Sequence, residues 1–127
     1  MKYNVQIYED NQGMLMIDVP DEIFLVIDLL LSDVQEDGSK IWIDLIDKVL
    51  SKKSSYEELT GNACTIEIKY DVTKIVDEYA EEDQKPYCLI ETAELKQILL
   101  KWDDAVRNKY AEWKLINLKV WWSLYRR

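Results

Sequence analysis

The 127-residue chain contains no histidine. The commonest general base and the commonest metal ligand are therefore missing, and with them Ser-His-Asp and Cys-His catalysis. Glycine is scarce, at positions 13, 38 and 61 only, and none of the three sits in a phosphate-cradling pattern. Two cysteines, Cys64 and Cys88, cannot build a Cys₄ or Cys₂His₂ zinc site. They read as free, buried, small hydrophobes in a reducing compartment. Long apolar runs are missing too. The longest, Ile23 to Leu31, is interrupted by Asp28, whereas a membrane-spanning helix needs roughly 20 residues. The opening MKYNVQIYED alternates apolar and polar residues and has no signal-peptide core. These absences predict a cytoplasmic protein with no metal, no cofactor and no stable membrane insertion.

What is present is charge. Hydrophobic residues make up 48% and charged residues 32%, a balance that predicts a folded domain over 1–127 rather than disorder. The net charge of −9 repels phosphate backbones, so nucleic acid is not expected as a ligand, and it favours encounter with basic proteins. The charge is unevenly spread. Residues 1–94 hold 22 acidic and 8 basic side chains, and residues 95–127 hold 3 and 8. An acidic body carries a basic, aromatic C-terminal segment.

Alternation in Tyr3, Val5, Ile7 and again in Leu15, Ile17, Val19, across a Gly-containing turn, predicts a β-hairpin. After Pro20, DEIFLVIDLLLSD is apolar on most sides and predicts a central buried helix. VQEDGSK reads as a loop and KIWIDLIDKVL as an amphipathic helix. SSYEELTG, with overlapping Ser-x-x-Glu boxes at Ser54/Glu57 and Ser55/Glu58, predicts a short helix ended by Gly61. ACTIEIKY alternates as a strand. Val72, Ile75, Val76, Tyr79 and Ala80 recur at helical spacing behind Asp71, so a helix is predicted there, closed at Lys85-Pro86. YCLIE is a strand or the approach to a helix. From Thr92 a long helix runs through Leu95, Ile98, Leu99, Trp102, Val106, Tyr110 and Trp113. Beyond Leu115 the pattern fits helix or strand, and helix is preferred. The fold expected is α+β: the N-terminal hairpin plus one or two further strands in an antiparallel sheet, against a buried helix and a long C-terminal one.

Carboxylate pairs at Asp44/Asp47, Glu78/Glu82, Glu91/Glu94 and Asp103/Asp104 could in principle do acid–base work. Such spacings arise by chance among 25 acids, and catalysis would need one desolvated member. No enzyme is expected. The acidic clusters carry more information together. Asp33, Glu36 and Asp37 stand near Trp42. Asp77, Glu78, Glu81, Glu82 and Asp83 surround Tyr79 and precede Tyr87. Carboxylates beside aromatics suit lysine and arginine side chains of a partner. On the helical reading, Tyr79 anchors this acidic face from within. Solvation of a loop or helix face would produce the same composition. In the segment YAEWKLINLKVWWSLYRR, four of the chain's five tryptophans (counting Trp102 just upstream) mix with basic residues. It reads first as the last core helix. A homodimer contact and a membrane-surface helix are the alternatives.

In size, charge and layout the chain resembles the immunity proteins of bacterial polymorphic and contact-dependent toxin systems. CLIETAELKQILLKWDDAV is similar to the strand-into-helix segment near the C-terminus of several small families of that kind. The resemblance implies a role, binding and blocking one cognate toxin, often a nuclease with a basic active site. It carries no individual functional residue across, and it does not account for the basic Trp-rich tail.

Overall fold

The computed structural model describes residues 1–125. Strands β1 (Gln6–Glu9) and β2 (Leu15–Asp18) pair antiparallel with Ile7 opposite Ile17, as the alternation predicts. Asp10 builds the turn: its carboxylate accepts the N–H groups of Gln12 (2.8 Å) and Met14 (2.9 Å). Gly13 supplies the positive φ of 77° that the turn requires. This hairpin forms its own two-stranded sheet and does not join the other strands.

Past Pro20 the chain winds with changing pitch. A 3₁₀ turn (Asp21–Ile23) leads to one α-helical turn, α1 (Leu25–Asp28), then a π-helical stretch (Leu29–Val34) and a second 3₁₀ turn (Gln35–Asp37). Ile23, Leu25, Val26, Leu29, Leu30 and Val34 are buried, as expected of a central helix, although the winding is not uniform. Helix α2 (Lys40–Leu50) buries Trp42, Ile46 and Val49 and turns Asp44 and Lys48 to solvent.

Four strands, β3 (Glu57–Thr60), β4 (Cys64–Ile68), β5 (Val72–Asp77) and β6 (Tyr87–Glu91), form an antiparallel sheet in that order. Leu59, Ile66, Ile75 and Cys88 line up across it, as do Ile68, Thr73 and Ile90, and these rows face the core. Two sequence predictions fail here. Ser54 to Thr60 is not a helix: Ser54 Oγ bonds the backbone of Tyr56, and Glu57–Thr60 pairs with β4. Val72 to Ala80 is not a helix either. Its first five residues are rich in β-branched side chains, and partners on both sides, β4 and β6, satisfy the backbone more fully than an isolated helical turn could. Asp71 is therefore no cap. Its carbonyl accepts the N–H of Thr92 (3.1 Å).

Helix α3 (Thr92–Tyr125) starts at the residue after β6, with no connecting loop. Thr92 pins the junction. Its hydroxyl donates to the Lys69 carbonyl (2.5 Å), which leaves Thr73 Oγ1 as donor to Thr92 Oγ1 (2.8 Å). Leu95, Ile98, Leu99, Trp102 and Val106 are buried, and Lys96 pairs with Asp47 of α2 (2.7 Å). From Tyr110 to Tyr125 every residue is exposed. The segment is helical, as preferred, but it does not cover the sheet. Lys109 and Tyr110 still touch Glu36 of the body, and at about 1.5 Å per residue 111–125 run on for roughly 22 Å. Cys64 and Cys88 are free and fully buried, and burial followed by nearby carboxylates pushes the Cys64 thiol up to about 12.

Asp33 ties the π-helical stretch to the β3–β4 turn. Its two oxygens accept the N–H groups of Ala63 (2.8 Å) and Cys64 (2.9 Å). Gly61 makes the approach possible, since a Cβ there would stand 2.5 Å from Asp33 Cγ. Gly61→Ala must displace a carboxylate fixed by two hydrogen bonds. It is expected to lower unfolding free energy by about 1–3 kcal/mol, read as a lower urea midpoint at unchanged slope. An unchanged midpoint would show that Asp33 can move aside freely.

Candidate partner-binding surface

The acidic loop that follows the π-helical stretch is strapped to α3. Gln35 has a positive φ of 54°, and its carbonyl accepts the indole N–H of Trp102 (2.8 Å). A non-glycine residue holds this backbone because the buried tryptophan needs its one polar atom satisfied. Ser39 donates its N–H (3.1 Å) and hydroxyl (2.6 Å) to Asp103. Between them Glu36 accepts from Lys109 Nζ (2.5 Å) and the Tyr110 hydroxyl (3.0 Å). The Lys109 hydrogen bond is the main reason the Glu36 carboxyl lies below its ordinary range.

This redistributes the residues expected to meet a partner. Asp33 and Glu36 serve contacts within the chain. Trp42 is 4% exposed and belongs to the core, so it offers no face to a partner; its place at the buried phase of α2 settles this. Asp37 remains exposed. The four acid pairs weighed for catalysis are distributed as follows. Asp44 pairs with Lys40, Asp47 with Lys96 and Asp104 with Arg107. Glu91 is held low by the Lys2 ammonium and also accepts from the Tyr3 hydroxyl, Glu94 accepts the Lys2 N–H, and Asp103 holds Ser39. Glu78 and Glu82 are exposed.

Asp77 ends β5 opposite Cys64, and Glu78 to Asp83 lie in the β5–β6 connection. Asp77 closes its base, donating its N–H to the Pro86 carbonyl (2.8 Å) and accepting the Tyr79 N–H on its carboxylate (2.9 Å). Glu78 donates its N–H to Ala63 (3.0 Å), and Glu81 and Gln84 bond each other. Glu78, Glu81, Glu82 and Asp83 are exposed, and among the described residues none of the four forms an ion pair. Tyr79 was expected to anchor this segment from within. It is instead 75% exposed, because the chain has left the strand and never formed the helix that would have turned it inward.

Asp28 joins this group. Partial burial, then the charges of Asp77 and Asp33, push its carboxyl upward. Its signal in the sequence was its place as the lone charge in the Ile23–Leu31 run. The outer face of the sheet beside the loop carries exposed Tyr87 and Leu89, with the ammonium groups of Lys74 and Lys85 over the Tyr87 ring (4.6 and 5.4 Å).

Where α3 leaves the body, an open cleft of about 470 Å³ lies between the β1–β2 turn (Glu9, Gln12, Gly13) and Tyr110, Trp113 and Ile116. Among the described residues no helix is long and apolar enough to cross a membrane.

Compared with known proteins, the chain is 35% identical over 104 residues to an immunity protein of Bacillus cereus, a match covering 82% of this chain and 88% of that protein. The chain belongs to that immunity-protein family. No family model matches, and no solved structure matches. An immunity protein implies a partner, so the exposed faces above, the acidic β5–β6 loop and the outer half of α3, are the surfaces to weigh.

The Glu36 strap has a pH signature. A carboxyl whose folded pKa is depressed adds stability above its ordinary range, near 4.5, and that stability is lost as pH falls through the folded value. Glu36→Gln is expected to cost up to about 1 kcal/mol at pH 7, since the pair is partly solvated. The gap between variant and parent should shrink as pH falls below the ordinary carboxyl range, in urea titrations at each pH. A gap that stays constant would contradict the assignment.

Proposed function

We propose that this immunity protein is a non-enzymatic inhibitor that neutralises a cognate toxin with a basic surface, a nuclease being the best match. The observation that carries the reading is the β5–β6 loop. Four exposed carboxylates form no ion pair among the described residues, and Tyr79 stands among them. Such a loop can occupy a basic active site where a phosphate backbone would lie. The loop is braced at its base by Asp77, so less chain entropy is lost when it docks. Exposed Asp37 and Asp28 would extend the negative field. Free, buried thiols support a reducing compartment, the cytoplasm.

The cognate toxin domain is the partner to test. Association should slow at least tenfold between low and roughly 300 mM salt, because steering by exposed charge is screened. Reversing Glu78, Glu81, Glu82 and Asp83 to lysine together should weaken affinity at least 100-fold, mainly through the on-rate. These side chains are exposed, so the circular dichroism spectrum should be unchanged. Affinity that survives the reversal would remove the acidic loop from the account.

A further inference from the structure

The outer half of α3 has a shape and composition that the toxin reading leaves unused. The stripe that is buried in its first half, Leu95, Leu99, Trp102 and Val106, continues at helical spacing through Tyr110, Trp113, Asn117, Val120 and Leu124. Trp113 is 63% exposed and Leu124 63%. In water such a stripe calls for a covering surface, and the chain carries one. The cleft beside Tyr110, Trp113 and Ile116 is open and mostly apolar, and Glu9, Lys109 and Glu112 also line it. The distal part of the same helix is apolar and basic, with Val120, Trp121, Leu124 and Lys119. Cleft and distal segment match in apolar character. They lie on one helix, so neither can reach the other within a single copy.

We propose that two copies of this chain pair antiparallel through the outer halves of α3, about a two-fold axis near Asn117. That axis sets Trp113 opposite Trp121 and Tyr110 opposite Leu124. The distal segment of each copy then fills the cleft of the other. Asn117 lies on the stripe at the centre, where a single polar residue fixes register. Covering Tyr110, Trp113, Ile116, Val120, Trp121 and Leu124 removes roughly 600 Å² per copy from water, near the lower end for a specific interface. The contact is isologous and closes at two copies. It does not depend on the identity of the toxin.

Sedimentation equilibrium of the full chain tests this. The expected mass is twice the 15.1 kDa of one chain. Trp113→Glu with Val120→Glu should weaken the dimer at least 100-fold, while Leu115→Glu, on the opposite side of the helix, should leave it intact. Both changes fall on exposed residues, and circular dichroism checks that the body is folded. Asn117→Cys should cross-link between copies under mild oxidation, since sulfurs near the axis come within disulfide reach, and Asn108→Cys should not. A parent that sediments as one chain at about 100 µM would overturn the proposal. In that case toxin binding or vesicle binding lost in the Trp113/Val120 variant would name the true occupant. Mass that keeps growing with concentration, or equal cross-linking at 108 and 117, would overturn the two-fold arrangement.

Discussion

Helix α3 is held to the body through its first half and by the strap from Gln35 to Ser39 that crosses it. At its base Thr92 joins sheet to helix without a loop, through hydrogen bonds to Lys69 and Thr73. Higher up, Trp102 buries the largest side chain of the core and spends its indole N–H on Gln35. Glu36 and Asp103 add charged ties on either side of it. Together they fix the direction in which the helix departs. The position of the cleft by the β1–β2 turn and the exposure of everything past Tyr110 both follow from that direction.

The same contacts sort the acidic residues into two groups. Asp33, Glu36, Asp47 and Asp103 have partners inside the fold and act as structural ties. Among the described residues the carboxylates of Glu78, Glu81, Glu82 and Asp83 form no ion pair, and they face solvent on a loop with a braced base. Removing Asp33 or Asp103 strands backbone donors that are partly buried, whereas Glu36 and Asp47 pair with partly solvated lysines and cost less. Carboxylates of the second kind repel one another and lower stability slightly, a cost that a cationic partner relieves. Charge that the fold does not need, gathered in one place, is the physical basis for assigning that loop to a partner.

Much of this was legible in the residues. The hairpin followed from alternation about Gly13, α2 from its apolar stripe, and α3 from a stripe begun at Thr92. The β5 segment was misread because Val72, Ile75, Val76 and Tyr79 satisfy helical spacing, while Thr73 and Ile75 also alternate inward as a strand. Only pairing with β4 and β6 decides, and that is a long-range fact. Ser54–Thr60 failed in the same way, its capping boxes outweighed by pairing with β4. Trp42 falls in the core by its phase on α2, where it shares the apolar stripe with Ile46 and Val49. The roles of Asp33 and Glu36 could not be read, since their partners lie about 30 and 73 positions away. The family was legible from size and charge, and the match to the Bacillus cereus immunity protein supports it.

The central claim is that the acidic β5–β6 loop meets the toxin. Amide hydrogen exchange on this chain, alone and with saturating toxin domain, tests it most directly. The account predicts slowed exchange across Asp77–Pro86 in the complex, reaching the neighbouring end of α1. Unchanged exchange in that loop, with protection elsewhere on the body, would contradict it.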